Sequence, residues 1–353
     1  METIADIPVV ACRRRISTNS LPTFVAAVSH WLLGFLLLFS FSSSAAAAAS
    51  PLTKVVITFG SFNERETALF VAQDQEFFTK HLLDVKPVKV SGPVALAALA
   101  GGDAQFYWGA ATGATLGAIA AGMDAVFVGS LIHKLEGTFV VSPAIKNPTE
   151  LRGTTLGIQS IGGGIWMRTM LTLNHWGLDP KRDNIRFRIM GDEAVLAQAI
   201  GSRLIDGSYL GYTYGALLER QGFRILADLA KLGIPYQNTA LLGQRRFVYS
   251  SPDIVERVLR ALAETVSFIL ESRNKAAVMK SLAKGLRLPR PEDASEGYER
   301  IINLYERRIY PNVEGIRSTI GLLGMTNESI RRLKAEDLID DRFVKKLEQE
   351  GRF

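Results

Sequence analysis

The residues best placed to do chemistry lie where short apolar runs give way to small and polar side chains. The clearest case is the segment 155–170 (TLGIQSIGGGIWMRTM), in which an apolar run over 156–158 stops at Gln159 and Ser160. Three glycines, Gly162, Gly163 and Gly164, then precede a stretch with Ile165, Trp166, Met167 and Met170 at helical spacing. Strand, glycine turn and helix together leave a row of backbone N–H groups without intrahelical acceptors, and no Cβ keeps a ligand away. Such a helix start carries partial positive charge and suits a carboxylate, sulfonate or phosphate-like group. The plainer alternative is a tight turn whose glycines serve packing alone.

Comparable groups recur along the chain. Ser61, Asn63 and Glu64 follow one apolar run, Gly92 a second and Thr112 a third. Later come Ser160, Gly162, Gly163 and Trp166, then Asp192, then Tyr212 and Thr213. Hydroxyls and backbone N–H groups recognise anions, while Trp166 and Tyr212 could supply flat walls. Taken singly, each is as readily a cap or turn residue; as a ring of strand-end loops they predict a ligand site.

Signals for catalysis are thin. His81, His133 and His175 have no partner at metal-ligand spacing, so no metal site is expected. The run 157–162 (GIQSIG) departs from a nucleophile elbow, because Ile158 stands where G-x-S-x-G needs glycine. Neither a P-loop nor a dinucleotide fingerprint occurs, and no cofactor is expected. The carboxylate pairs Asp192/Glu193 and Asp340/Asp341 suit helix caps or solvent.

The elements that must position these residues alternate. Strands are expected at 54–59, 84–90, 105–108 and 125–129, with helices between them. The same order returns with strands at 155–159, 184–190, 207–210 and 224–226. Gly92 and Gly191, Asp103 and Asp206, and Gly122 and Gly222 fall into step, which points to two copies of one βαβαβα unit. Repeated units of this kind imply an α/β fold of two lobes, each a mostly parallel sheet flanked by helices. Ligands then bind beyond the carboxyl ends of the strands, here in a cleft between the lobes. From 251 onward the chain is helical and is expected to pack back on the first lobe. The divisions are 52–139 for the first part of lobe 1, 140–240 for lobe 2 and 241–353 for the rest of lobe 1.

Composition fits this picture. The 353 residues are 47% apolar and 22% charged, as in globular proteins, and the net charge of +6 is spread without a basic block that would suggest nucleic acid. Residues 1–49 differ: Arg13–Arg15, an apolar core over 31–41 and the alanines 45–49 have the order of a cleavable signal peptide. An uncleaved anchor is the alternative. The one cysteine, Cys12, precedes the apolar core, so the mature chain is expected to lack disulfides and a lipoprotein anchor.

The segment 147–158 (NPTELRGTTLGI), the Gly191-Asp192 corner, Ile205-Asp206 and 222–226 (GFRIL) resemble in order the nitrate/sulfonate/taurine-type solute-binding proteins of ABC importers. Segments 98–103 (ALAGGD), 120–122 (AAG) and 335–343 (AEDLIDDRF) extend the resemblance over residues 52–353. One departure is Leu82, where that family's motif has glycine. The resemblance implies a type II periplasmic binding protein, exported and monomeric, that closes on a small solute and docks on a permease. It also leaves room for a thiamine-pyrimidine-precursor synthase-like enzyme or precursor-binding protein on the same lobes, for which His133 is the candidate histidine. A sensory module is the third class.

Overall fold

The computed structural model describes residues 51–353; the expected signal peptide and Cys12 lie outside the described residues. Strands β1 (Thr53–Phe59), β2 (Leu83–Lys89), β3 (Phe106–Gly109) and β4 (Ala125–Ser130) supply the first sheet. Strands β5 (Thr138–Val141), β6 (Thr155–Ile158), β7 (Arg186–Ile189), β8 (Gly207–Leu210) and β9 (Arg224–Asp228) supply the second, before β10 (Ala240–Gln244). The orders β2-β1-β3-β10-β4 and β7-β6-β8-β5-β9 are the same pattern twice. Strands β1, β2 and β3 pair parallel, whereas β10 runs antiparallel to both β3 and β4. In the second sheet β5 plays the part of β10, antiparallel to β8 and β9.

Those two antiparallel strands are where the chain passes between lobes, and both escaped the sequence reading as strands. They are short and buried along nearly their whole length, so they show no alternation of apolar and polar side chains. The expected duplication is present, with one shift of register. Gly92 opens a helix whereas Gly191 lies two residues before one, so the pair does not superpose; the position of Gly92 is held by Glu193.

Helices α1 (Thr67–Asp74), α2 (Phe77–Lys80), α3 (Gly92–Gly101) and α4 (Gly113–Ala120) cover the first sheet. α5 (Gly164–His175), α6 (Glu193–Gly201) and α7 (Tyr212–Arg220) belong to the second. Caps define several starts: Asn63 Oδ1 accepts from Arg65 N at 3.0 Å, and Thr112 Oγ1 accepts from Thr115 N at 3.1 Å. After α8 (Arg245–Ser250) comes α9 (Pro252–Leu270), which buries Val255, Val258, Leu262, Val266 and Ile269 at three- and four-residue spacing. With α10 (Lys275–Leu286) and α11 (Ser295–Ile301) it packs on the outer face of the first lobe, joining Val55, Ile57 and Leu69 in one apolar cluster. A second cluster runs from Leu96 and Phe127 through Phe139, Leu156 and Leu196. α12 (Val313–Gly324) lends it Ile316 and Ile320 and touches both α4 and α5. The helical tail therefore braces the first lobe and also reaches the second.

Candidate functional site

The carboxyl ends of the strands in both sheets converge on one small cavity of about 40 Å³. The loop after β1 contributes Gly60, Ser61, Arg65 and Glu66; Gly92 follows β2, and Thr112 follows β3. From the other lobe come Gln159, Gly163, Gly164, Ile165 and Arg168, with Asn238 and Thr239 from the crossover into β10. Lobe meets lobe directly here: Ala114 N–H donates to Gly162 O at 2.8 Å, and Gln159 Nε2 donates to Gly60 O at 3.1 Å.

Arg168 is the central side chain. It sits on α5 one turn past Gly164 and is fully buried, its guanidinium donating to Asn238 Oδ1. Its Nε lies 3.4 Å from Glu136 Oε1, outside hydrogen-bond geometry, and its carbon centre stands 5.2 and 5.4 Å from the rings of Tyr209 and Tyr236. Burying a cation is costly, and the carboxylate and the two ring faces offset that cost. Nε and Nη1 still have no hydrogen-bond acceptor. Gly164 and Ile165, in the first turn of α5, border the same space, where intrahelical acceptors for N–H groups run out; Glu66, whose Oε2 lacks a donor, also lines it.

Arg65 enters from the opposite side. Its guanidinium donates to Ser61 Oγ at 3.1 Å and Asn63 Oδ1 at 2.9 Å, and stands 3.4 Å from Glu136 and 3.7 Å from Glu66. Glu136 in turn accepts from Tyr209 Oη at 2.9 Å. Burial pushes the Glu66 carboxyl up to about 7 against the pull of Arg65 and Arg168. Burial likewise takes Glu193 up to about 8, opposed by Arg65 and aided by Glu64.

Of the residues singled out in the sequence, Ser61, Gly92, Thr112 and Gly163 line the cavity. Asn63, Glu64 and Thr213 are beside it: Asn63 Nδ2 donates to Glu193 Oε1 at 2.5 Å, and Glu64 Oε1 accepts from Thr213 N at 2.5 Å. Gly162 and Trp166 close over α4; a Cβ on Gly113 would lie 3.3 Å from Gly162 Cα and 3.2 Å from Trp166 Cζ3. The remaining three stand back. Ser160 accepts from Gly163 N through its carbonyl, Asp192 caps α6 and faces Lys89 at 3.6 Å, and Tyr212 Oη donates to Asp228 at 3.2 Å. His133 also lies off the cavity lining, its Nε2 2.8 Å from Tyr310 O.

Sequence reasoning passed over Arg65, Glu66, Arg168 and Asn238. A signal was there for Arg168: it is the only charge on the otherwise uncharged helix stretch 164–174, on the face shared with Ile165 and Leu171.

A family model described as NMT1/THI5 like matches residues 63–276. No curated protein matches the chain by sequence. Among solved structures, a protein of Bordetella bronchiseptica RB50 superposes with TM-score 0.74 at 19% identity, covering 85% of this chain and 98% of that one. The alkanesulfonate-binding protein SsuA from Xanthomonas axonopodis pv. citri, bound to MOPS, gives 0.63 at 21% identity, covering 81% and 96%. The periplasmic nitrate-binding protein NrtA from Synechocystis PCC 6803 gives 0.69 at 13% identity, covering 85% and 89%. The fold is that of these periplasmic binding proteins.

Proposed function

The chain belongs to the NMT1/THI5-like family, and from that premise we propose that it is the extracytoplasmic solute-binding component of an ABC importer. It closes its two lobes on a small anion and delivers it to the membrane permease. The observation that carries this reading is Arg168, a buried guanidinium with Nε and Nη1 lacking acceptors, beside the first turn of α5 at a cavity between the lobes. A buried donor without an acceptor is costly, and an oxyanion would relieve that cost. Structural neighbours named for alkanesulfonate and nitrate binding support the same chemistry.

Size narrows the choice. A cavity of about 40 Å³ is small, so the closed form suits an anion of a few heavy atoms. Export rests on the order of residues 1–49 and on the periplasmic location in the neighbours' names. The synthase-like alternative needs a histidine at the cavity, and no histidine is among its lining residues.

Thermal unfolding with a panel of nitrate, formate, sulfate, short alkanesulfonates, cations and neutral metabolites tests the proposal. A matching oxyanion at a hundred times its Kd adds about 2.7 kcal/mol and raises the midpoint by several degrees. Shifts confined to cations or neutral solutes would overturn the anion assignment.

A further inference from the structure

Glu64 and Glu193 come from opposite lobes and meet at one glycine. Each is at most 1% exposed. Glu64 Oε1 accepts the Thr213 N–H of the other lobe at 2.5 Å, and Glu193 Oε1 accepts Asn63 Nδ2 across the same boundary at 2.5 Å. Glu193 Oε2 also accepts Gly211 N–H at 2.7 Å. A Cβ at Gly211 would collide with Glu64 Oε2 and stand 2.9 Å from Glu193 Oε2, so the two carboxyl groups face each other over the width of a glycine.

The surroundings cannot neutralise two charges there. Arg65 is the cation that acts on Glu193, and it already stands 3.7 Å from Glu66 and 3.4 Å from Glu136. Asp192 and the phenols of Tyr209 and Tyr214 add no positive charge. Lys89 is directed to Asp192 at 3.6 Å. From α11 Gly297 packs against Glu64, where a Cβ would lie 2.7 Å from Glu64 Cγ, while Arg300 of that helix reaches Glu296 at 3.0 Å and Asp228 at 3.4 Å. Like charges this close in a buried site disfavour joint ionisation.

We propose that Glu64 and Glu193 form a proton-held latch between the lobes, closed while at least one carboxyl is protonated and parted when both ionise. The inference rests on the reading of the chain as a receptor that opens and closes, and it concerns the regulation of that movement. Burial raises the Glu64 carboxyl and takes that of Glu193 up to about 8, which puts the change within reach of mildly alkaline solution. The latch is tied to the cavity through Asn63, which holds Glu193 on one side and Arg65 and Ser61 on the other.

Small-angle scattering of the solute-free protein from about pH 6 to about pH 9.5 tests it. The wild type is expected to expand in one step near pH 8. Glu64→Gln, whose amide can donate to an ionised Glu193, should abolish that step or move it up by more than one pH unit. Glu193→Gln serves as the second variant, with circular dichroism checking that each is folded. A radius of gyration that stays flat in the wild type, or variants that expand at the wild-type midpoint, would overturn the latch. Because no solute is present, that outcome leaves the anion reading standing, whereas a panel without oxyanion shifts strikes the anion reading alone.

Discussion

Leu82 and Gly177 occupy the same turn of the two halves, and both hold left-handed backbone, with φ of 58° and 68°. Each lies between a helix and the next parallel strand, and Leu82 O accepts from Thr53 N at 2.9 Å, which fixes the turn at the start of β1. A non-glycine residue in this region bears about 1–2 kcal/mol of strain. The leucine side chain is 45% exposed and recovers little of that by packing. Glycine loses about 0.5–1 kcal/mol more chain entropy on folding. Leu82→Gly is therefore expected to stabilise the protein by about 0.5–1 kcal/mol, read as a higher urea midpoint at unchanged slope. A lower midpoint would show that the leucine contacts outweigh the strain.

Gly211 has ordinary backbone, with φ of −61°, so its need for glycine is steric. Alanine there would drive a methyl group into Glu64 of the facing lobe. Overpacking of this kind costs about 1–3 kcal/mol, and here the larger clash falls on the closed form. Gly211→Ala should weaken binding of the anion found in the thermal panel by about tenfold to a hundredfold, measured by titration calorimetry. An unchanged Kd would mean that closure does not bring Gly211 against Glu64.

The alternation of elements, their duplication and the strand-end position of the site were legible because period, glycine turns and caps are local. Asn63, Thr112 and Asp192 show their capping role in their own few residues. What lay hidden depends on partners far along the chain. Arg168 gains its meaning from Glu136 and Asn238, and Glu193 from Asn63, 130 positions earlier. The acidic pair Asp192/Glu193 suggests two solvated caps, yet only Asp192 caps α6, while Glu193 is fully buried against the other lobe. The crossover strands β5 and β10 were hidden for the same reason: their length and pairing are set by the sheets that receive them.

Arg168 should matter to the fold as well as to the solute. Removing one partner from a buried charge cluster leaves the other without compensation, at about 3–5 kcal/mol. Arg65 and Tyr209 still face Glu136, which places the loss for Arg168→Met toward the lower end, about 3 kcal/mol. Arg168→Lys keeps a charge but not the planar fork, and should fold better than the methionine variant while responding more weakly to oxyanions. Chemical denaturation gives the first quantity, and the anion-induced shift in thermal midpoint gives the second. Equal anion shifts in wild type and Arg168→Lys would remove the guanidinium from solute recognition.

The buried carboxyls make the stability of the solute-free protein fall with rising pH. Glu66 and Glu193 titrate near 7 and 8 when folded, well above the ordinary value of 4.5, so between those limits the folded chain holds protons that the unfolded chain has released. Stability then declines as pH rises, because the unfolded state binds fewer protons. His81 and His133 act in the opposite sense. Burial lowers both below the ordinary 6.5, so their contribution is lost as pH falls through that value and levels off by about pH 7.5. Between about pH 7 and about pH 8 the carboxyls outweigh the histidines and should remove on the order of 1 kcal/mol. Urea unfolding at several points in that window measures the slope, and Glu193→Gln should flatten most of it. A wild-type stability that is level or rising over this range would show that the folded state does not retain these protons.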